Sequence, residues 1–340
     1  MKKIKIIAEI GCNHNGSMDL AKKMVDEAAK CGVDGVKFQT FIAEELISKY
    51  APKAEYQVKT TGSDENQLEM TKKLELSFDE YIELKKYAED KNLEVFSTAF
   101  DLTSIEFLHK LGQTTWKIPS GEITNLPYLE KIRDLQCENK QIILSTGMSS
   151  IEEIRQAIDI LNKNGKLDIV VLHCNTEYPT QDEDVNISAI YDLHKNFKDY
   201  EIGFSDHSVG NVAATMAVAF DICFIEKHFT LDKNMEGPDH KASATPKELK
   251  ELVDNVRRAE IIKGISKKII TKSEKKNIDI ARKSIVVKKS LKKGEEFTVE
   301  NITCKRPGSG VSPMYWYDVL GKKSKRDYEA DELINEDELI

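Results

Sequence analysis

His207 and His228 carry the clearest chemical signal in this chain. They follow two short runs rich in apolar and β-branched residues, Glu201–Ser205 and Cys223–Lys227. On neighbouring parallel strands, two imidazoles can reach one metal ion at about 2.0–2.2 Å per nitrogen. Such a site leaves positions open for water and substrate, as a Lewis acid requires. Lys37, in Gly-Val-Lys-Phe-Gln, and Lys117, in Trp-Lys-Ile-Pro-Ser, stand inside apolar runs. An ammonium there is costly unless an anion meets it, and strand alternation turns every second residue to the same side. With Ser120, Ser145 and Ser205 these lysines are suited to hold a phosphate and a carboxylate. A Schiff-base lysine is the competing chemistry, but an aldehyde polarised by a metal has no need of an imine.

Four carboxylates, Glu9, Glu122, Glu226 and Asp239, fall at the ends of such runs or in the loop after the last one. They are candidates for acid–base work, which needs a group near the reacting carbon with a pKa tuned by burial. Glu122 follows Ser120-Gly121, where the backbone can approach a ligand closely. Asp239 lies in the turn-like Glu236-Gly-Pro-Asp-His240. Glu226 reads equally as a structural partner of Lys227 or of a histidine, and Asp206 as a helix N-cap. His14 ranks below the histidine pair as a ligand. His173 is expected on the pocket floor, and His109 and His194 in helices.

The elements that position these residues follow from periodicity. Strand-like runs cover Ile4–Ala8, Gly35–Gln39, Glu94–Thr98, Thr115–Ile118, Gln141–Ser145, Asp168–His173, Glu201–Ser205 and Cys223–Lys227. Between them lie amphipathic segments such as Met18–Lys30, Ser77–Lys91, Ser149–Asn162, Asn186–Phe197 and Val209–Phe220. Strands alternating with helices imply a parallel sheet, and eight units in about 250 residues fit a closed (β/α)8 TIM barrel, an α/β fold. An open doubly wound sheet is the alternative, but no G-x-G-x-x-G follows the first strand. In a barrel the C-terminal strand ends share one face, and polar groups recur there: Glu9, Gln39, Ser97-Thr98, Ser120, Ser145, Thr176 with Tyr178, Ser205 and His228.

Residues 263–283 are rich in Lys and Ser and read as a linker. From Ser284, short segments with turn signals predict a small, mostly β or irregular domain over 284–340, beside a catalytic domain over 1–262. The 340 residues hold 50 Lys and Arg against 58 Asp and Glu, a net charge of −8 that disfavours nonspecific nucleic-acid binding. None of the six cysteines forms a C-x-x-C pair, which fits reduced thiols and a cytoplasmic protein. The apolar run after Met1-Lys-Lys3 is broken by Glu9, which argues against a signal peptide, and no run of about 18 apolar residues suggests a membrane span.

These stretches together resemble the sialic acid synthase family. The matching motifs are Ala8-Glu-Ile-Gly-Cys-Asn-His-Asn-Gly-Ser17, Val36-Lys-Phe-Gln-Thr40, Lys117-Ile-Pro-Ser-Gly-Glu122, Leu144-Ser-Thr-Gly-Met148, Gly203-Phe-Ser-Asp-His207, Glu226-Lys-His-Phe-Thr230 and Gly237-Pro-Asp239. Lys292-Lys-Gly-Glu295 and Lys305-Arg-Pro-Gly308 match its antifreeze-like (SAF) domain, while Ala51–Gln57 and His173–Pro179 look like bacterial N-acetylneuraminate synthases. The resemblance implies condensation of phosphoenolpyruvate with N-acetylmannosamine and water, giving N-acetylneuraminate and phosphate by C–O cleavage. It implies Mn2+, or Mg2+ or Co2+, on His207 and His228. Lys37, Gln39, Lys117, Ser120, Ser145 and Ser205 would bind phosphoenolpyruvate, and Thr98 would be a further substrate contact. Glu9, Glu122 and Asp239 would serve sugar hydroxyls, water and proton transfer, Tyr178 would line the sugar pocket, and Thr176 would touch the bound ligands. It further implies a homodimer whose small domain covers the partner's barrel and whose Arg306 meets the sugar's N-acetyl group. Thr176 stands where some members have Asn, and Ala99 where Pro is commoner.

Other acceptors are open to the same architecture: a diacetamido-hexose leading to legionaminate or pseudaminate, or an arabinose phosphate, which wants a basic pocket. A non-catalytic sugar- or ice-binding protein is the reading from another class. Against it, residues 284–340 carry many charges, whereas ice binding wants a flat and weakly charged face.

Overall fold

The structure, a computed structural model, describes residues 3–62 and 65–338. The chain divides after Gly264 into two compact units. The first carries eight parallel strands: β1 (Lys5–Gly11), β2 (Gly35–Thr40), β3 (Glu94–Ala99), β4 (Thr115–Ile118), β5 (Gln141–Ser145), β6 (Asp168–His173), β7 (Glu201–Asp206) and β8 (Phe224–His228). Their order, β3-β2-β1-β8-β7-β6-β5-β4, joins the first strand to the last, as a barrel requires and an open doubly wound sheet does not. The expected helices also form, at Met18–Cys31, one residue longer than read, and, somewhat shorter, at Phe78–Glu89, Ile151–Leu161, Ala189–Asn196 and Val212–Ala217. Local chemistry starts several of them. Ser77 with Glu80 and Ser150 with Glu153 make capping boxes that satisfy free N–H groups at the helix start.

β3 and β4 close the barrel without a strand ladder. The side chain of Gln113 takes the ladder's place: its Oε1 accepts from Ser97 N at 2.8 Å and its Nε2 donates to Ser97 O at 2.9 Å. A buried backbone pair that would otherwise stay unmatched is thereby satisfied.

Alternation along the strands separates two environments. Outward residues such as Ile6, Ala8, Phe38, Leu144, Val171 and Ile225 pack against the helices. Inside the barrel, Ile7, Phe96, Ile143, Val170, Leu172 and Phe224 form a dry plug. Gly203 makes room for it, since a Cβ there would lie 2.5 Å from Leu172 Cδ2 and 2.8 Å from Phe224 Cβ. Two residues further along the strands from Ile7, Phe96, Ile143 and Phe224 stand Glu9, Thr98, Ser145 and Glu226. The plug is therefore the floor on which polar groups collect.

The second unit pairs β9 (Ser284–Val287) with β10 (Ile302–Lys305) in antiparallel fashion. Its own core contains Ile285, Val287, Phe297, Ile302, Val319, Tyr328 and Ile334. The segment 263–283, expected as a plain linker, holds two one-turn helices, Lys272–Lys275 and Ile278–Ala281. The second is tied to the small domain by Gly308 N donating to Asp279 O at 2.6 Å and Arg306 Nε to Ala281 O at 3.0 Å. No helix among the described residues is long and apolar enough to cross a membrane.

Candidate active site

Glu9, Lys37, Lys117 and Glu226 meet above the apolar plug, each at most 4% exposed. At that depth charges must pair with one another or with a ligand. Lys37 Nζ lies 2.5 Å from Glu9 Oε2 and 3.8 Å from Glu226 Oε2, and Lys117 Nζ lies 3.7 Å from Glu226 Oε1. Hydroxyls complete the network: Lys117 donates to Ser145 Oγ at 2.6 Å, Lys37 to Thr98 Oγ1 at 3.1 Å, and Ser205 Oγ to Glu226 Oε1 at 2.9 Å. Gln39 Nε2 donates to Glu9 Oε1 at 3.2 Å.

The two carboxylates differ in protonation. Burial pushes Glu9 up to about 7, partly offset by Lys37. Burial acts on Glu226 too, but Lys117 and Lys37 together outweigh it and hold it at about 2. Lys117 is itself pushed down by burial. Two ammonium groups thus face one firm anion and one carboxyl that protonates readily, an arrangement with room for a further negative charge.

The histidines face the same space. Their ring centroids are 5.3 Å apart, and the Tyr178 ring stacks on His207 at 4.2 Å. His207 Nδ1 contacts the carbonyl of Asn175, so Nδ1 carries the proton and Nε2 the lone pair. Ser205, 3.3 Å from that Nε2, gives its proton to Glu226 instead. His228 Nδ1 is buried without a hydrogen-bond partner and 3.9 Å from Asp239 Oδ2. Burial holds His207 at about 4 and His228 well below the usual range, so both rings are neutral. Two neutral imidazoles with unclaimed nitrogens fit a divalent metal. Among the described residues no group of three or more His, Cys, Asp and Glu is arranged for one. The remaining ligands would have to be water and substrate.

These groups line a chamber of about 200 Å³, together with Gln39, Thr98, Ser120, Ser145, Thr176, Tyr178 and Ser205. A second chamber of about 230 Å³ adjoins it across Gln39, Phe100, Tyr178 and His228 and reaches Asp239. Burial pushes Asp239 up to about 6, and Cys12 Sγ approaches its Oδ2 at 3.7 Å.

Two expected residues lie elsewhere. Glu122 is absent from both linings and accepts from Asn125 Nδ2 at 2.6 Å in a short 3-10 turn. Arg306, expected to serve the partner subunit's site, is exposed within the small domain. His173 is not on the pocket floor: it follows Leu172, which points inward, so its own ring turns out, stacks on Phe204 and reaches Val185 O at 2.8 Å. His14 is buried and accepts from Gly16 N at 3.1 Å. Glu226 proves more central than a partner of Lys227, which pairs instead with Asp206 at 2.8 Å. Asp206 is accordingly a buried ion-pair member that also accepts from Ser208 N. Sequence reasoning gave no role to Tyr56, whose ring lies 5.4 Å from that of Tyr178. It sits in a crossover segment where no strand end flags it.

A NeuB family profile matches residues 24–268, and a SAF domain profile matches residues 282–340. The chain belongs to the NeuB family. This NeuB-family chain is 52% identical over 338 residues to N,N'-diacetyllegionaminic acid synthase of Campylobacter jejuni, covering 99% of this chain and 100% of that protein. It is 42% identical over 324 residues to the synthase of the same name from Legionella pneumophila, covering 94% and 89%. The solved N-acetylneuraminic acid synthetase of Leptospira borgpetersenii, in complex with citrate, aligns with a TM-score of 0.70 at 34% identity, over 81% of this chain and 90% of that one. Sialic-acid-type synthases are therefore the relatives of this NeuB-family chain along nearly its full length.

Proposed function

We propose that the chain condenses phosphoenolpyruvate with an uncharged diacetamido-hexose, giving a legionaminate-type nine-carbon 2-keto acid and phosphate. The sequence alone put N-acetylmannosamine first as acceptor. The two N,N'-diacetyllegionaminic acid synthases at 52% and 42% identity support the diacetamido-hexose instead. One observation carries the reaction class: two buried lysines and two neutral histidines line a single small chamber that opens onto a second chamber. No Lys or Arg among the described residues lines that second chamber. An arabinose phosphate would find no cation to pair with in this chain's own lining of that chamber.

In this reading Lys37 and Lys117 hold the phosphate and carboxylate of phosphoenolpyruvate, with Ser145 and Thr98 fixing the two ammonium groups. The C2=C3 π pair of phosphoenolpyruvate attacks the aldehyde carbon of the open-chain sugar, so that a C–C bond forms while the C=O π pair moves to the aldehyde oxygen, which takes up a proton and becomes a hydroxyl. Water adds at C2, where positive charge develops, and the resulting C2 hydroxyl loses its proton to form the keto group as the C2–O bond to phosphate breaks. The carboxyl of Glu9, titrating near neutrality, takes the proton lost by that water. The ionised Glu226 holds both lysines in place and stabilises positive charge at C2. A divalent cation, Mn2+ by resemblance, held by His207 and His228 would polarise the aldehyde oxygen. Tyr178 packs on the His207 ring and fixes its plane. The reading includes a homodimer in which Arg306 serves the partner's acceptor, supported by family resemblance.

The direct test is to incubate the protein with phosphoenolpyruvate, Mn2+ and a panel of amino sugars, follow phosphate, and weigh the acid formed. A mass matching the diacetamido nine-carbon acid is the expected result. Absence of phosphate release with every sugar on the panel would sink the proposal and revive a non-catalytic sugar-binding role.

A further inference from the structure

The outer chamber has walls of two origins. Its inner wall is the strand-end chemistry of His228, Asp239 and Tyr178. Its far wall comes from the crossover between β2 and β3, where the short helices Glu55–Thr61 and Gln67–Lys72 bring up Gln57, Gln67 and Met70, with Leu74 just beyond. Met70 and Leu74 are buried. Beside them two carboxamides meet: Gln67 Nε2 donates to Gln57 Oε1 at 3.4 Å, and that oxygen also accepts from Ala54 N at 2.9 Å. Gln57 is thus pinned by its helix start, while the side-chain oxygen Oε1 of Gln67 accepts no hydrogen bond among the described residues.

A wall of this kind discriminates between sugar substituents. A hydroxyl gains nothing from Met70 and Leu74. An acetamido group offers a methyl to the apolar surface and an N–H to the free carbonyl of Gln67, so both halves find a partner. In the condensation reading the position along the sugar follows as well. His228 and Tyr178 belong to both chambers, which puts the reacting aldehyde at their junction and a substituent remote from it against the far wall.

We propose that Gln67, Met70 and Leu74 form a subsite for the second acetamido group of the acceptor, and that this subsite sets the preference for a diacetamido-hexose over a mono-acetylated one. The proposal rests on the reading of the chain as a phosphoenolpyruvate-condensing sugar synthase and names the residues that choose its acceptor.

The test compares kcat/KM for a 2,4-diacetamido-hexose with kcat/KM for N-acetylmannosamine, in the wild type, in Gln67→Ala and in Met70→Ala. The wild type should favour the diacetamido sugar, and each variant should lower the ratio of the two values by about tenfold or more, the scale of one lost group in a specificity pocket. Gln67→Glu keeps the size of the side chain and, because a carboxylate still accepts the amide N–H, should retain more of the ratio than Gln67→Ala. Gln67 is only partly buried, so its variants report even if Met70→Ala fails to fold. A wild type that prefers N-acetylmannosamine, or variants with an unchanged ratio, would overturn the subsite while leaving the condensation reading intact. A wild type that converts neither sugar overturns both.

Discussion

At the scale of single residues, the strongest coupling is between Glu226 and the two lysines. Replacing Glu226 with Gln keeps its shape and its bond from Ser205 but removes the charge that orients Lys37 and Lys117. Turnover with phosphoenolpyruvate should fall about 10²–10³-fold, as when one preorganised electrostatic group is lost. Stopped assays of phosphate release would measure it. A second expectation concerns the rings. His207→Ala should abolish stoichiometric Mn2+ uptake in a calorimetric titration, whereas His173→Gln should leave it unchanged because that ring faces Phe204 and Val185. Undiminished uptake by the His207 variant would refute the assignment. The lysines were legible in the sequence because an ammonium inside an apolar run needs an explanation. Glu226 was less so. In Glu226-Lys227-His228 every side chain is ionisable, and only the phase of β8 tells that the first and third point in while Lys227 points out to Asp206. The same ambiguity misplaced His173.

At the scale of elements, phase is set by local backbone devices. β1 carries an irregularity between Glu9 and Gly11, where its register against β2 shifts. Gly11 adopts φ +55, and a Cβ there would lie 2.8 Å from Glu9 Oε1 and 3.1 Å from Gln39 Nε2. A bulge with a left-handed glycine lets the strand end re-aim its last side chains. Gly11→Ala should therefore cost about 1 kcal/mol or more in backbone strain and lower kcat by displacing Glu9. Urea unfolding and steady-state kinetics on one preparation would separate the two effects. The buried Lys227–Asp206 pair ties β8 to β7 behind the site. Lys227→Met strands a buried carboxylate and should destabilise by about 3–5 kcal/mol, and adding Asp206→Asn should recover part of the loss. The strands were readable from apolar runs of a few residues. The short helices of the β2–β3 crossover were not, because pieces of four to seven residues show no period.

At the scale of the whole molecule, acid sensitivity follows from histidines kept neutral by burial. His14 and His240 both titrate near 4 in the folded chain, against 6.5 for an unperturbed ring. Between those values the unfolded chain binds the extra proton and the folded chain does not, so stability falls as pH drops through that window. Each such ring contributes a slope of up to about 1.4 kcal/mol per pH unit. His14→Gln should flatten the loss of denaturation midpoint between pH 6.5 and 4. An unaltered slope would show that His14 is not among the groups responsible. The domain count was legible because periodicity changes after the last barrel helix. How the barrel closes was not, since nothing in a lone Gln before a strand announces that it stands in for backbone pairing.

That substitution has a consequence for how the cylinder opens. Seven strand pairs are stitched by main-chain ladders, and the eighth by the Gln113 carboxamide clasp with a long Thr115 Oγ1 to Glu94 Oε1 contact of 3.4 Å. Wall rupture should begin along this line. Thr98 and Lys117 flank it, so the first fluctuation to part the wall also pulls the anchor of Lys37 away from Lys117. Gln113→Leu unfastens the clasp and leaves Ser97 N and O unmatched at about 1–3 kcal/mol. Faster deuterium uptake at Ser97 than at Phe38, its neighbour across the intact β2 ladder, would make that fault line visible.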